Sequence, residues 1–396
     1  MRIGGITAEF NPFHNGHEAL CLAARAAGMT HLVAVMSGNF VQRGDFAFAE
    51  KRVRTACALE AGVDLVLELP VAWACSTAQV FARGAVSLLA ACACVDTLCF
   101  GSECAEADTL RTLAAAVEDA GVQAGLRAYL SGGMTYAKAR ELAVRDKFGE
   151  TLSARLSSPN DLLGVEYLRR ANELGWNPGV FVLKRKGVQH DAGLPSGGFA
   201  SASWLRANAE NLSDISAYMP GPCFERLSAA CAQGLLPARK DKLEAAVLAK
   251  LRMMERSGLA SLPDLSEGLE NRLYSAIRRS RDAGELEAAL KTKRYTLARV
   301  RRLILSAFLG IRREDAAGAP PYLRVLGFNR RGRDILRRMD GAAALPADTS
   351  LARLSRRGER CAATAGLEQR CTDIYTLALP RALPCGYDFT AGAVIM

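Results

Sequence analysis

The chain has 396 residues, with 51 Lys+Arg against 41 Asp+Glu and a formal net charge of +10; half of it is hydrophobic and 7% is aromatic. That length suggests roughly two to three domains and suffices for a buried core without disulfide or metal staples. Gly and Pro show no period and apolar residues are plentiful, which excludes fibrous, collagen-like and disordered classes. The longest apolar run, near Val86 to Val95, is about half the roughly 20 residues a membrane-spanning helix needs. Glu9, Asn11 and His14 come too early for a signal peptide, so a cytoplasmic protein with no membrane partner is expected. In that compartment the 12 cysteines read as small buried hydrophobes. Their closest group, Cys92, Cys94, Cys99 and Cys104, has no CxxC pair and reads as packing rather than as a zinc site.

Residues 2–104 alternate short apolar runs with helical stretches. Strands are expected at Arg2 to Ala8, His31 to Met36, Asp64 to Leu69 and Thr97 to Phe100, and helices at His17 to Ala27, Glu50 to Ala61 and Ala78 to Ala93. Gly28, Gly62 and Pro70 punctuate them. A helix at Asp161 to Leu174 and a fifth strand at Gly179 to Lys184 follow. Val-, Ile- and Leu-rich strands separated by helices predict an α/β fold, a doubly wound parallel sheet covered on both faces. From Ser201 onward the pattern reads as almost entirely helical. The expected division is a catalytic domain over residues 1–215 and a basic, mostly helical domain over residues 216–396.

Charge is uneven. Residues 271–360 hold 22 Lys+Arg and nine Asp+Glu, a net of +13, whereas the remaining residues carry a net of −3. Such a local excess points to a polyanionic partner, nucleic acid being the commonest; solvated Arg-rich helix faces are the plainer alternative.

The loop after the first strand reads Asn11-Pro12-Phe13-His14-Asn15-Gly16-His17 and leads into a helix. A helix start offers unpaired amides and a positive dipole end to an anion. Gly16 admits close approach to the backbone, and two imidazoles three residues apart can face one ligand, donate to phosphate and offset developing negative charge. Strand, HxGH and helix together make a cradle for a triphosphate attacked at its α-phosphate; two capping or metal-binding histidines are the plainer alternative. The position of this loop resembles the HxGH signature of the nucleotidylyltransferases.

A longer match follows. Ile6 to His17, Met36 to Gly44, Gly62 to Pro70, Phe100 to Glu103, Ser158 to Asn160, Lys184-Arg185 with His190-Asp191, and Tyr295-Thr296 with Arg299 to Arg302 resemble the bacterial tRNA(Met) cytidine acetate ligases. The resemblance spans nearly the whole chain and is dense before residue 205. It implies that ATP and acetate give acetyl-adenylate, and that the acetyl group passes to N4 of the wobble cytidine of elongator tRNA(Met). It carries ATP binding onto Thr7, Ala8, Glu9, Phe10, Asn11, Pro12, Phe13, His14, Asn15, Gly16, His17, Glu18, Ala19, Leu20, Gly101, Asn160 and Arg185, with His14 and His17 as the catalytic pair. Ser201, Ser203 and Arg206 resemble a second phosphate motif, an ordinary N-cap being the alternative. Mg²⁺ is expected to accompany ATP on its phosphates, since no dedicated carboxylate cage and no resident metal site is legible. Phe10 stands where a tyrosine is expected, and Gln189 where an aromatic is usual, which leaves the acyl pocket open. Arg278-Arg279, Lys291 to Arg294, Arg299 to Arg302, Arg330 to Arg333 and Arg353 to Arg360 are candidate contacts to tRNA phosphates, whereas Ile304, Leu305 and Phe308 read as core. A small-molecule adenylyltransferase of the same superfamily is the alternative function, and a silent RNA-binding protein a third. Oligomeric state, tRNA identity determinants and the roles of His190 and Asp191 are not legible.

Overall fold

The computed structural model describes residues 1–185, 195–265 and 268–396. The apolar runs of the first half form β1 (Ile3–Ala8), β2 (His31–Ser37), β3 (Leu65–Leu69), β4 (Thr97–Ser102) and β5 (Gly179–Lys184). They pair in parallel in the order β3-β2-β1-β4-β5. Alternate residues of β2 enter different cores: Val33 and Val35 face one cluster, and Leu32, Ala34 and Met36 the other. Both faces of the strand are thus dry, which is why its sequence lacks a polar alternation. Helices α1 (Asn15–Ala26), α2 (Lys51–Glu60), α3 (Ala78–Ala91) and α4 (Pro159–Glu173) cover the sheet, each within a few residues of its expected bounds. Strand order reverses between β1 and β4, so a crevice opens at their carboxyl ends.

The chain beyond Ser201 is mostly helical, with one correction to the sequence reading. Leu323–Phe328 forms β6, antiparallel to β3, and Ala347–Asp348 (β7) and Val394–Ile395 (β8) pair parallel to β6. One sheet therefore takes strands from both sides of the expected division after residue 215. Arg324 hid this strand, because a cation in the middle of an apolar run reads as surface. Its guanidinium is buried, yet bonds Glu68 at 2.6 Å and Asp388 at 2.7 Å. Lys51 joins the same network, 2.5 Å from Glu68 and 2.6 Å from Asp388.

Residues 248–307 build a smaller core of their own. Helix α5 (Leu297–Leu309) spans both cores: Val300, Leu303 and Ile304 face the smaller one, Leu305 and Phe308 the main one. The expectation that Ile304, Leu305 and Phe308 are core residues holds. Among the described residues no helix is long and apolar enough to cross a membrane.

Candidate active site

The α1 amino terminus opens at the crevice because of its own histidines. His14 is the N-cap, and its Nδ1 accepts from the Gly16 amide at 3.1 Å. His17 reaches back, its Nδ1 accepting from the His14 amide at 3.2 Å. This is a capping box made from two imidazoles, so the plainer capping alternative is part of the answer. It also sets the tautomer. A nitrogen that accepts carries no proton, so each neutral ring holds its hydrogen on Nε2, the donor edge left for a ligand. The rings stack with centroids 3.7 Å apart, backed by Phe10 and Phe13, whose centroids lie 5.0 and 5.3 Å from His17.

Burial, then the neighbouring Arg185 guanidinium, push His14 down to about 3. Burial and then the His14 ring push His17 well below the usual imidazole range. Both rings are thus held neutral and present hydrogen-bond donors. Gly16 also serves the fold of the loop. A Cβ there would lie 2.9 Å from His14 Cε1, so the missing side chain admits the folded-back imidazole.

Around the pair lies a cavity of about 340 Å³ lined by Thr7, Ala8, Glu9, Phe10, Asn11, His14, His17, Leu20, Gly101, Asn160, Arg185, Ser201, Ser203 and Arg206, all anticipated from sequence. An adjoining cavity of about 280 Å³ shares His14, His17, Gly101, Arg185 and Ser201 and adds Gly16 and Ala19. Pro12, Phe13, Asn15 and Glu18 line neither. Phe13 is buried behind the rings, and Asn15 donates to the carbonyls of Gly198 and Ala217 at 2.9 and 3.1 Å. The resemblance carried these four into the expected set.

Several lining residues have structural work as well. Asn11 Oδ1 accepts from the Phe48 amide at 2.6 Å, and the Asn11 carbonyl accepts from Arg206 at 2.7 Å, which ties the loop to the Ser201 segment. Glu9 accepts from the Gln42 amide at 2.8 Å. Phe10 is held at φ +46°, a strained conformation for a residue with a side chain, as is common at ligand loops. Ser201 is the N-cap expected in the alternative reading, accepting from the Trp204 amide at 3.1 Å, and still faces the cavity. At Gly101 a Cβ would press on Arg185 Cγ at 3.3 Å, so the glycine leaves room for that arginine.

Sequence reasoning missed Gln42, Arg43, Phe81, Leu162, Leu163 and Tyr167 as cavity walls. Gln42 and Arg43 lie inside the matched Met36 to Gly44 segment, a signal that went unused. The other four fall within the expected helices Ala78 to Ala93 and Asp161 to Leu174, where nothing singled them out. Gln189, His190 and Asp191 lie outside the described residues. The cysteine group is packing: Cys94 and Cys99 are pushed up by burial to about 11 and about 12, so both remain thiols at neutral pH. The carboxyl groups of Glu68, Glu368 and Asp388 lie within 4.8 Å of one another, but Lys51 and Arg324 already pair with Glu68 and Asp388, and burial pushes Glu368 up to about 8.

The basic segments separate by location. Arg302 bonds Gln42, at the cavity. Arg330, Arg331 and Arg333 begin a helix at the opposite, amino-terminal end of the strands, where Asn329 bonds the Asp64 carbonyl at 3.0 Å and Arg338 reaches Met1. Those three arginines are therefore remote from the crevice.

An HxGH pair at the switch point of a doubly wound sheet, with Arg43, Arg185 and Arg206 on the same cavity, defines a nucleotide-binding site of the nucleotidyl transferase kind. Residues 1–385 match the family of HIGH nucleotidyl transferases. The chain is 37% identical to the tRNA(Met) cytidine acetate ligase of Thermoanaerobacter sp. strain X514, over 98% of each chain. It is 33% identical to that of Alkaliphilus metalliredigens, over 96% of this chain and 95% of the relative. Its fold superposes on Thermotoga maritima TmcAL bound with alpha-thio ATP at a TM-score of 0.92 and 29% identity, and on the apo form at 0.95 and 30%, with complete coverage of both chains. The chain belongs to the tRNA(Met) cytidine acetate ligase family within the HIGH nucleotidyl transferases.

Proposed function

We propose that the protein is an ATP-dependent, AMP-forming ligase that acetylates N4 of the wobble cytidine in elongator tRNA(Met). The observation that carries this reading is the neutral His14–His17 pair, presented with Arg185 and Arg206 on one cavity. In the first step an acetate oxygen attacks the α-phosphorus of ATP and pyrophosphate leaves, giving acetyl-adenylate. Nε2–H donors on His14 and His17 stabilise the phosphate oxygens as charge builds, and Arg185 and Arg206 supply fixed positive charge. Ser201 and Ser203 add hydroxyls for the outgoing pyrophosphate. In the second step the cytidine N4 attacks the acetyl carbonyl carbon, AMP leaves, and the amine proton passes to solvent. That step needs positioning and exclusion of water more than a dedicated base.

Magnesium enters with ATP on its phosphates. Among the described residues Glu9 is the carboxylate lining the cavity, and it is already engaged with the Gln42 amide, which fits a phosphate-held ion better than a protein cage. The tRNA lies along the face carrying Lys291, Lys293 and the start of α5, since the Gly44 turn beside the cavity packs on Arg301 and Arg302. Its cytidine leaves the anticodon stack to meet the adenylate.

The test incubates the protein with ATP, radiolabelled acetate and bulk tRNA, followed by digestion to nucleosides. Label in N4-acetylcytidine is expected. ATP consumption without labelled RNA would instead indicate a small-molecule adenylyltransferase, and no turnover would indicate a silent binding protein.

A further inference from the structure

Glu103 follows β4 at its carboxyl end, and Asn160 and Asp161 begin α4 opposite it. Glu103 Oε1 accepts from Asn160 Nδ2 at 2.5 Å, and Oε2 accepts from the Asp161 amide at 3.0 Å. Asp161 answers in kind, its Oδ1 accepting from the amides of Glu103 at 2.9 Å and Cys104 at 3.1 Å and from the Ser102 hydroxyl. The exchange locks the end of β4 to the start of α4. Glu103 is absent from the cavity walls, whereas Asn160 is among them.

A carboxylate accepts hydrogen bonds and cannot donate them. The Asn160 amide therefore has one orientation, with its NH₂ turned to Glu103, and its Oδ1 remains as an acceptor. Without Glu103 the amide could rotate and present either edge.

We propose that Glu103 is a positioning residue that holds Asn160 as a hydrogen-bond acceptor toward a donor of adenosine, a ribose hydroxyl or the exocyclic amine. This inference rests on ATP being the nucleotide bound. Equilibrium ATP binding by calorimetry is measured on the full chain for wild type, Glu103→Ala, Asn160→Ala and the double variant, with kcat at saturating ATP measured in parallel. Each single change is expected to weaken ATP binding about tenfold, as one lost or misdirected hydrogen bond would. The double variant is expected to bind no worse than the weaker single, because Glu103 acts through Asn160. For Glu103→Ala the kcat at saturating ATP is expected to stay within about twofold, a split that general loosening of α4 would not produce. If Glu103→Ala fails to fold, Glu103→Gln enters the same cycle, since it keeps one acceptor and adds a competing donor. Additive losses in the double variant, or unchanged affinity in the single, would overturn the role of Glu103. Wild type that does not bind ATP would instead remove the nucleotide reading, and this inference with it.

Discussion

Arg302 donates to the main-chain carbonyl of Gln42 at 3.3 Å, joining a helix of the basic C-terminal region to a residue that lines the nucleotide cavity. The same guanidinium pairs with Asp264 at 2.8 Å. Gly44 lets the two segments meet: it has φ +73°, and a side chain there would overlap the Arg302 backbone. Arg302→Ala is expected to raise the KM for tRNA several-fold while changing ATP–pyrophosphate exchange by less than about threefold, because the Gln42 loop keeps its Glu9 contact. Equal losses in both assays would show that Arg302 serves the cavity rather than RNA docking.

His17→Ala is expected to lower adenylate formation by about 10²-fold or more, the usual loss on removing one donor to a developing oxyanion. The tRNA dissociation constant is expected to stay within about twofold. Near-normal pyrophosphate exchange by this variant would remove the imidazole from the reaction. The change also deletes one arm of the capping box, so a fall in stability of about 1 kcal/mol accompanies it.

The buried imidazoles make stability depend on pH. His14 has a folded value of about 3, below its ordinary 6.5. The unfolded chain therefore takes up a proton as pH falls below about 6.5 while the folded chain does not. Stability is complete above that point and is lost as pH falls toward 3, by about 2 kcal/mol at pH 5 from this ring alone. His14→Asn keeps a capping acceptor without a titrating group. Denaturant melts at pH 7 and pH 5 should show a smaller drop for the variant. Parallel drops would mean that the ring is not buried in its neutral form.

Glu368 behaves in the opposite sense. Burial, then the neighbouring Glu68 carboxylate, push it up to about 8, and its Oε2 accepts from the Val71 amide at 2.7 Å. Between about pH 4.5 and 8 the unfolded chain loses a proton that the folded chain keeps, so this group lowers stability as pH rises through that window. Glu368→Gln retains an acceptor for Val71. It is expected to stabilise the protein by about 1–3 kcal/mol at pH 8 and by little at pH 5. A melting temperature that falls equally at both pH values would show that the carboxylate is ionised and needed by Lys51.

Tight tRNA binding is expected to weaken steeply with salt, as phosphate contacts by Lys and Arg release counterions. Charge reversal of Lys291 and Lys293, both exposed, should reduce that dependence. Reversal of Arg330 and Arg331, at the far end of the sheet, should leave it unchanged. Equal effects from both pairs would place RNA on a different face.

Five parallel strands, their crossover helices and the HxGH loop were legible in the residues, because each is a local pattern. Apolar runs of strand length, glycines at helix ends and two histidines flanking Gly16 declare themselves within about ten residues. The tertiary structure decided what depends on distant partners. Leu323–Phe328 becomes a sheet strand because Arg324 meets Glu68, 256 residues earlier, and Asp388. Many of the arginines that make residues 271–360 so basic are spent inside the fold, Arg299 on the Asp264 carbonyl and Arg301 on Glu287. Composition counts a charge wherever it stands. Whether that charge faces a phosphate, a carboxylate or a carbonyl is settled when the chain closes on itself, because Coulomb attraction and desolvation act through space and not along the sequence.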